Sequence, residues 1–416
     1  MQFSPDGSRV IARAGGGTVC VWEVATGALD KSLDAGRRNS APWMSFEEEV
    51  SISSDGHVLA ATERAADGSG EIGLWDLASG RRSSTIPTGS KAVIVLVGFG
   101  EADATLIALP DRHTVSVFDT QTGKIRATWS SDPKDSIDPI ALSPDRKTLA
   151  FGVNRHGPLQ IMDLGKGSTR SLELGGAATS MVKASVTQPQ SDSVARVESM
   201  IFSRDGRTLY AGRFRAVSVV DLEHGVEKPM LTLPSDARSG HLALLSVSSD
   251  GTRLLTEMKG FLFPIFDLTT GHVLTHGAPR VSVTRAQVPA FIEGKLGSFD
   301  GWGRVVYQGR VAYVALLPQE NMRVGGETRQ TSSYAWASAT SPDGSLLALK
   351  LDALNNLTLW DAKTDGWIDL LESTVPYGPS LHLNFSRDGK TLAVTEKGID
   401  IWDIPKRKLR YRLGGV

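Results

Sequence analysis

One short motif keeps returning along the chain. Ser-x-Asp-Gly occurs at Ser4-Pro5-Asp6-Gly7, Ser53-Ser54-Asp55-Gly56, Ser203-Arg204-Asp205-Gly206, Ser248-Ser249-Asp250-Gly251, Ser341-Pro342-Asp343-Gly344 and Ser386-Arg387-Asp388-Gly389. Ser143-Pro144-Asp145-Arg146 is a variant and Gly100-Glu101-Ala102-Asp103 a weaker one. Ser298-Phe299-Asp300-Gly301 fills what would otherwise be a gap of double length. Gly206, Gly251, Gly301, Gly344 and Gly389 follow one another at intervals of 43 to 50 residues. A fixed period of this size means one supersecondary unit used many times, each copy burying its apolar faces against its neighbours.

The chemistry of the motif is that of a turn. Ser at the first position, Pro with its fixed φ at the second and Gly at the fourth suit a type I β-turn. A second signature follows in each repeat: Trp75-Asp76-Leu77-Ala78-Ser79-Gly80, Phe118-Asp119-Thr120-Gln121-Thr122-Gly123 and Phe266-Asp267-Leu268-Thr269-Thr270-Gly271. Trp22-Glu23, Trp360-Asp361 and Trp402-Asp403 occupy the same place. Here an aromatic closes a strand, Asp bonds the local backbone and Gly accepts the left-handed turn. Between these turns the residues alternate with period two. In the last repeat Leu381, Leu383 and Phe385 alternate with His382, Asn384 and Ser386, and Lys408, Arg410 and Arg412 with Leu409, Tyr411 and Leu413. This is the strand signature, and no long stretch has apolar residues at helical spacing.

The aromatic-Asp ending, the Ser-Pro-Asp-Gly turn and the period resemble the WD-repeat family over essentially the whole chain. The resemblance implies an all-β β-propeller of four-stranded antiparallel blades around a channel, spanning residues 1–416. It departs from the family in lacking the Gly-His pair before the first strand and in placing Phe118, Met162, Val220 and Phe266 at the Trp position. The repeats thus look divergent and similar to bacterial ones, with blade packing that rests on apolar contact more than on a His/Ser/Asp/Trp network.

Nine repeats are counted, beginning near residues 1, 47, 91, 137, 196, 242, 289, 334 and 380. They are expected to make a ring of eight or nine blades, or seven plus leftover blades of a longer protein. Two polar stretches, 175–196 and 325–333, read as flexible loop insertions.

Several function classes are disfavoured. Lys plus Arg total 45 and Asp plus Glu 46, a net charge of −1, whereas bulk nucleic-acid binding needs a cationic excess. No apolar run of 18 residues exists to span a membrane, and Met1 to Gly7 has neither the basic nor the apolar part of a signal peptide. One cysteine, Cys20 in Val19-Cys20-Val21-Trp22, cannot form an internal disulfide and reads as a buried strand residue. A cytoplasmic location is expected. His-Glu-x-x-His and Gly-x-Ser-x-Gly are absent. Gly389-Lys390-Thr391 echoes a phosphate loop but lies between strands, and the scattered histidines show no metal-ligand spacing. No catalytic residue, cofactor or metal is expected.

One pattern is less bland. The turn between the second and third strands carries a cation in every repeat: Arg13, Arg64, Arg112 with His113, Arg155 with His156, Arg213 with Arg215, Lys259, Arg310, Lys350 and Lys397. These turns lie on one face of a propeller, together with the connections of variable length. A ring of cations there would attract an acidic or phosphorylated protein or peptide. Acidic neighbours such as Glu63, Asp111 and Glu396 partly cancel that field. The expected function is a non-catalytic binding scaffold acting through the variable-loop face. The alternatives are a propeller enzyme, lactonase- or hydrolase-like, with a channel-mouth site, and a sensory or docking segment of a larger signalling protein. The basic tail Lys406-Arg407-Lys408-Leu409-Arg410-Tyr411-Arg412 fits the solvent face of an outer strand.

Overall fold

The computed structural model describes residues 1–13, 17–36, 50–174, 196–233, 242–248, 251–258, 265–275, 297–299, 305–307, 310–312, 323–324, 327–328, 335–343, 345–351, 357–361, 366–368, 382–395 and 398–413. Eight antiparallel sheets of four strands follow one another along these residues, each a simple meander. Their first and last strands are Gln2–Phe3 and Leu29–Asp34, Val50–Ile52 and Arg81–Pro87, Val95–Phe99 and Ile125–Ser130, Ile137–Leu142 and Ser168–Leu172, Ser199–Phe202 and Val226–Thr232, Leu242–Val247 and Val273–Thr275, Ala335–Thr340 and Gly366–Ile368, His382–Phe385 and Lys408–Leu413. They are called the first to eighth blades below.

The first strands form the inner wall of a ring. Val50–Ile52 lies against Gln2–Phe3 and Val95–Phe99, Ser199–Phe202 against Ile137–Leu142 and Leu242–Val247, and Ala335–Thr340 against His382–Phe385. His382–Phe385 in turn meets Gln2–Phe3, so the eighth blade closes on the first. The fold is a β-propeller. Every strand of the first and eighth blades comes from its own end of the chain, so this seam closes by packing and side-chain bonds rather than by a shared sheet. Asn384 Nδ2 donates to the Met1 carbonyl at 3.3 Å, and the Tyr411 hydroxyl donates to the Ala25 carbonyl.

Strand alternation explains how each blade serves two seams. In Thr18–Glu23, Val19 and Val21 pack into the seam with the second blade beside Val50, Ile52 and Leu59. Cys20 and Trp22, on the opposite face, pack with Ala393, Ile399 and Ile401 of the eighth. Strands buried on both faces read as near-continuous apolar runs, which is why Val19-Cys20-Val21-Trp22 carries no polar residue. Similar clusters join the second and third blades around Ile72, Leu96 and Phe118, and the third and fourth around Val117, Leu149 and Phe151. Others join the fourth and fifth around Ile161, Phe202 and Leu209, the fifth and sixth around Val217, Leu254 and Phe266, and the seventh and eighth around Leu359, Leu392 and Trp402. Packing between blades is apolar, as the missing family network led one to expect.

Among the described residues, the repeat that begins near residue 289 contributes no four-stranded sheet. Leu242–Val247 of the sixth blade touches Ala335–Thr340 of the seventh directly. Between them, residues 297–312 carry a three-stranded sheet and residues 323–328 a two-stranded one. Ser298 and Phe299 of the turn-like Ser298-Phe299-Asp300-Gly301 lie in the strand Gly297–Phe299 of that three-stranded sheet, and Asp300 and Gly301 lie outside the described residues. Residues 175–195 lie outside the described residues, as do most of 325–333. Glu327–Thr328 is a strand paired with Arg323–Val324.

The repeated turn is a closed hydrogen-bond unit. In the first blade the Ser4 hydroxyl donates to Asp6 and accepts from the Arg9 N–H at 2.9 Å, while Asp6 accepts from the Ser8 N–H at 3.0 Å. The same set recurs from Ser53, Ser143, Ser203, Ser341 and Ser386. In the variant turn Arg146 takes φ +60° where the other copies have glycine. The Ser4 hydroxyl, ahead of smaller contributions from Ser8, holds the Asp6 carboxyl down to about 2.

Candidate functional site

The motif turns join first to second strands and third to fourth. They therefore occupy one face of the ring. The turns between second and third strands share the opposite face with the connections from blade to blade. Backbone bonds tie these together: the Arg112 carbonyl accepts from the Ile137 N–H at 2.7 Å as the chain enters the fourth blade. The Arg155 carbonyl accepts from Val197 at 2.8 Å as it enters the fifth, and the Arg215 carbonyl from Leu233 at 3.0 Å. These three second-to-third turns thus pin the path between blades, giving this part of the face a stiff frame on which side chains are displayed.

The cations of the predicted ring are put to different uses. Arg13 donates to the carbonyls of Thr62, Ala35 and Gly36, bracing the connection into the second blade. Arg64 donates to Gly68 O at 2.8 Å and Lys91 O at 3.1 Å, bridging its own turn to the loop beyond. Arg213 is buried, its Nη1 donating to Ser218 Oγ at 3.3 Å with Glu227 at 4.0 Å. Burial pulls its guanidinium below the usual arginine range, with Glu227 opposing. Arg64 and Arg213 therefore build the frame.

Arg155 works in a richer cluster. With Asn154 it forms a turn in which both residues have positive φ, 54° and 60°. Its Nε donates to Asp138 of the inner strand and its Nη1 to Glu198 of the fifth blade at 2.6 Å. Glu198 also meets Arg196 at 2.8 Å. Asn154 Nδ2 donates to Asp135 at 2.6 Å, and its Oδ1 accepts from the Ser136 N–H at 2.8 Å. Next to this, Arg112 is exposed and His113 Nδ1 stands 3.4 Å from Asp111. Arg215, half-buried with φ +58°, follows on the fifth blade. The third to fifth blades thus display a sector of both signs: Arg112, Lys134, Arg155 and Arg215 beside Asp111, Asp135, Asp138 and Glu198.

The remaining predicted residues are placed only in part. Arg310 opens the strand Arg310–Ala312, outside the ring of four-stranded blades. His156 opens His156–Asp163 opposite Val153, and Lys350 lies within Leu346–Leu351 opposite Leu357 rather than in a turn. Lys259 and Lys397 lie outside the described residues. Among the described residues no group of three His, Cys, Asp or Glu could hold a metal ion, and no helix is long and apolar enough to cross a membrane.

The architecture has known counterparts. The propeller domain of Myceliophteria thermophila Cps50 (Swd1) superposes over 85% of this chain and 95% of its own, at 14% identity and a TM-score of 0.50. The dihydro-heme d1 dehydrogenase NirN, solved in complex with DHE, superposes over 100% of this chain and 74% of its own, at 12% identity and a TM-score of 0.60. Both are likenesses of fold. No protein-family model and no curated protein sequence matches the chain.

Three charged arrangements escaped the motif search. The Asp that ends a third strand pairs with a cation seven residues on: Asp119 with Arg126 Nε at 2.8 Å, Asp221 with Lys228 at 3.2 Å, Asp403 with Arg410 at 2.6 Å. The spacing Asp-x6-Arg/Lys marks all three. Arg412 meets Asp400 through two bonds of 2.8 Å, so carboxylates of the neighbouring strand neutralise Arg410 and Arg412 of the basic tail. A third arrangement, Glu63 with Arg82, has no motif at all.

Proposed function

We propose that this propeller is a binding scaffold that docks a protein or peptide on the variable-loop face, across the third to fifth blades. The observation that carries this reading is the contrast between the two faces. On one, the same turn recurs with its serine, aspartate and backbone groups bonded to one another. On the other, stiff turns present Arg112, His113, Lys134, Arg155, Arg215 and neighbouring carboxylates at the mouth of the ring. Such fixed side chains on a rigid frame give recognition at low ordering cost.

The partner segment in this reading carries charges of both signs. A uniformly acidic or phosphorylated peptide would meet Asp111, Asp135, Asp138 and Glu198 as well as the cations, and like-charge contacts oppose binding. Arg64 and Arg213 are assigned a supporting part, holding the frame. The WD-repeat resemblance of the repeated turns favours a protein ligand over a small molecule.

The test is crosslinking of the purified chain to its cellular partners, followed by affinity measurement with the partner recovered. Arg112→Glu with Lys134→Glu should weaken binding at least tenfold and flatten its salt dependence. Unchanged affinity in that variant, with loss in Arg207→Glu on the opposite face, would refute the assignment.

A further inference from the structure

At the seam between the first and second blades sits a carboxylate that needs a cation. Glu63 is buried, with 2% of its surface exposed, on the side of its strand that faces the first blade. Its Oε2 accepts from Arg82 Nη2 at 2.7 Å. Its Oε1 is buried without a hydrogen-bond partner. Beside it the Arg82 guanidinium lies 4.7 Å from the centroid of the Trp75 ring. Gly73 completes the arrangement: a Cβ there would come within 2.2 Å of the Trp75 ring and 2.7 Å of Glu63 Oε1. Only glycine lets the indole and the carboxylate close on one another.

An aromatic face and a desolvated carboxylate are the two elements that recognise a guanidinium, through stacking and charge-assisted hydrogen bonds. Arg82 fills the place loosely. It comes from the outer edge strand, its side chain is 37% exposed, and it uses one nitrogen on Glu63 rather than a two-pronged fork. Nη1 turns instead to Thr85 Oγ1 at 3.1 Å. Glu63, by contrast, is held in the seam and cannot follow Arg82 into water. A buried carboxylate left alone is costly, so on departure of Arg82, Glu63 takes up another cation or a proton.

We infer that the pocket formed by Trp75, Gly73 and Glu63 is a guanidinium-binding site occupied by the chain's own Arg82, and that an arginine side chain of a partner can take it over. The site lies on the second blade and stands apart from the sector of the third to fifth blades, so either can fail without the other.

The probe is methylguanidinium, with methylammonium as the matched control, tested at millimolar concentration on Arg82→Ala. The variant should show a saturable rise in thermal midpoint and a change in tryptophan fluorescence with methylguanidinium and not with methylammonium. The double variant Arg82→Ala with Glu63→Gln should lose both responses. A peptide acetyl-Gly-Arg-Gly-amide should bind Arg82→Ala at least tenfold more tightly than it binds the unaltered chain, where Arg82 competes from a high local concentration. Circular dichroism confirms the fold, and Arg82→Gln replaces Arg82→Ala if the latter unfolds. Equal responses in the single and double variants, or none in either single variant, would overturn the assignment.

Discussion

Asp103 of the third blade grips Ser54 of the second: its carboxylate accepts from the Ser54 N–H at 2.8 and 2.9 Å and from the Ser54 hydroxyl at 2.6 Å. The same carboxylate accepts from Arg146 Nη1 of the fourth blade at 3.1 Å. The weakest copy of the repeated motif is thus the one that staples three blades. Ala102 and Asp103 both take positive φ, 50° and 57°, to bring it there. Such backbone is held only where its surroundings reward it.

Asp103→Ala should therefore cost about 2 kcal/mol, the loss expected when charge-assisted bonds to a partly buried group are removed. The thermal midpoint followed by circular dichroism reads this directly. Asp55→Ala, a turn residue bonded within its own turn and exposed, should cost less; equal losses would deny Asp103 its bridging part.

The closing seam of the ring depends on Tyr411 and Gly27. Gly27 has φ +72°, and a Cβ there would meet the Tyr411 ring at 2.9 Å. Gly27→Ala should destabilise by about 2 kcal/mol through both strain and collision. Tyr411→Phe, which loses only the hydroxyl bond to the Ala25 carbonyl, should cost about 1 kcal/mol. Limited proteolysis of Gly27→Ala should cut first near the first and eighth blades.

Acid should loosen the repeated turns together. The Arg126 side chain, with the Thr122 N–H and hydroxyl, holds the Asp119 carboxyl down to about 2, against an ordinary value of 3.8. The His224 N–H, ahead of its side chain and Lys228, does the same for Asp221, also to about 2. A carboxyl lowered on folding stabilises the fold above its ordinary value and loses that effect as pH falls through its folded value. Asp119→Asn should lower the thermal midpoint at pH 7 and match the unaltered chain near pH 2. A difference that persists at pH 2 would place the effect elsewhere.

Glu63 should behave in the opposite sense. Burial pushes its carboxyl up, with the Arg82 bond and the charges of Arg82 and Arg13 opposing and Glu71 adding to the rise. A carboxyl raised on folding binds its proton more tightly when folded. Its contribution is complete below the ordinary glutamate value and fades as pH rises through the folded one. Glu63→Gln should therefore raise the thermal midpoint at pH 7 relative to its effect at pH 4. A midpoint shift independent of pH would mean that Glu63 does not titrate in the seam.

The chain's local chemistry was legible from its residues alone. Ser4, Asp6 and Gly7 announced their turn because its bonds run between residues five or fewer apart. Val19 to Trp22 announced a buried strand by their apolar run, and the structure added that its two faces serve two different seams. The Asp119–Arg126 pair was not read from the sequence, and its spacing alone does not decide it: Asp163 and Arg170 share that spacing, yet Arg170 donates to the Leu222 carbonyl. What only the tertiary structure decided involves residues brought together from different blades. Ser298-Phe299-Asp300-Gly301 has the turn chemistry, yet Ser298 and Phe299 lie in a three-stranded sheet, while Leu242–Val247 and Ala335–Thr340 touch directly. Arg64 and Arg155 look alike in sequence; one is absorbed by carbonyls, the other by Asp138 of its own blade and Glu198 at the start of the next. Asp103 became a staple and Glu63 a desolvated acid for the same reason. Burial and partner charge are set by distance in space, and a repeat of local signals carries no record of which copies will meet.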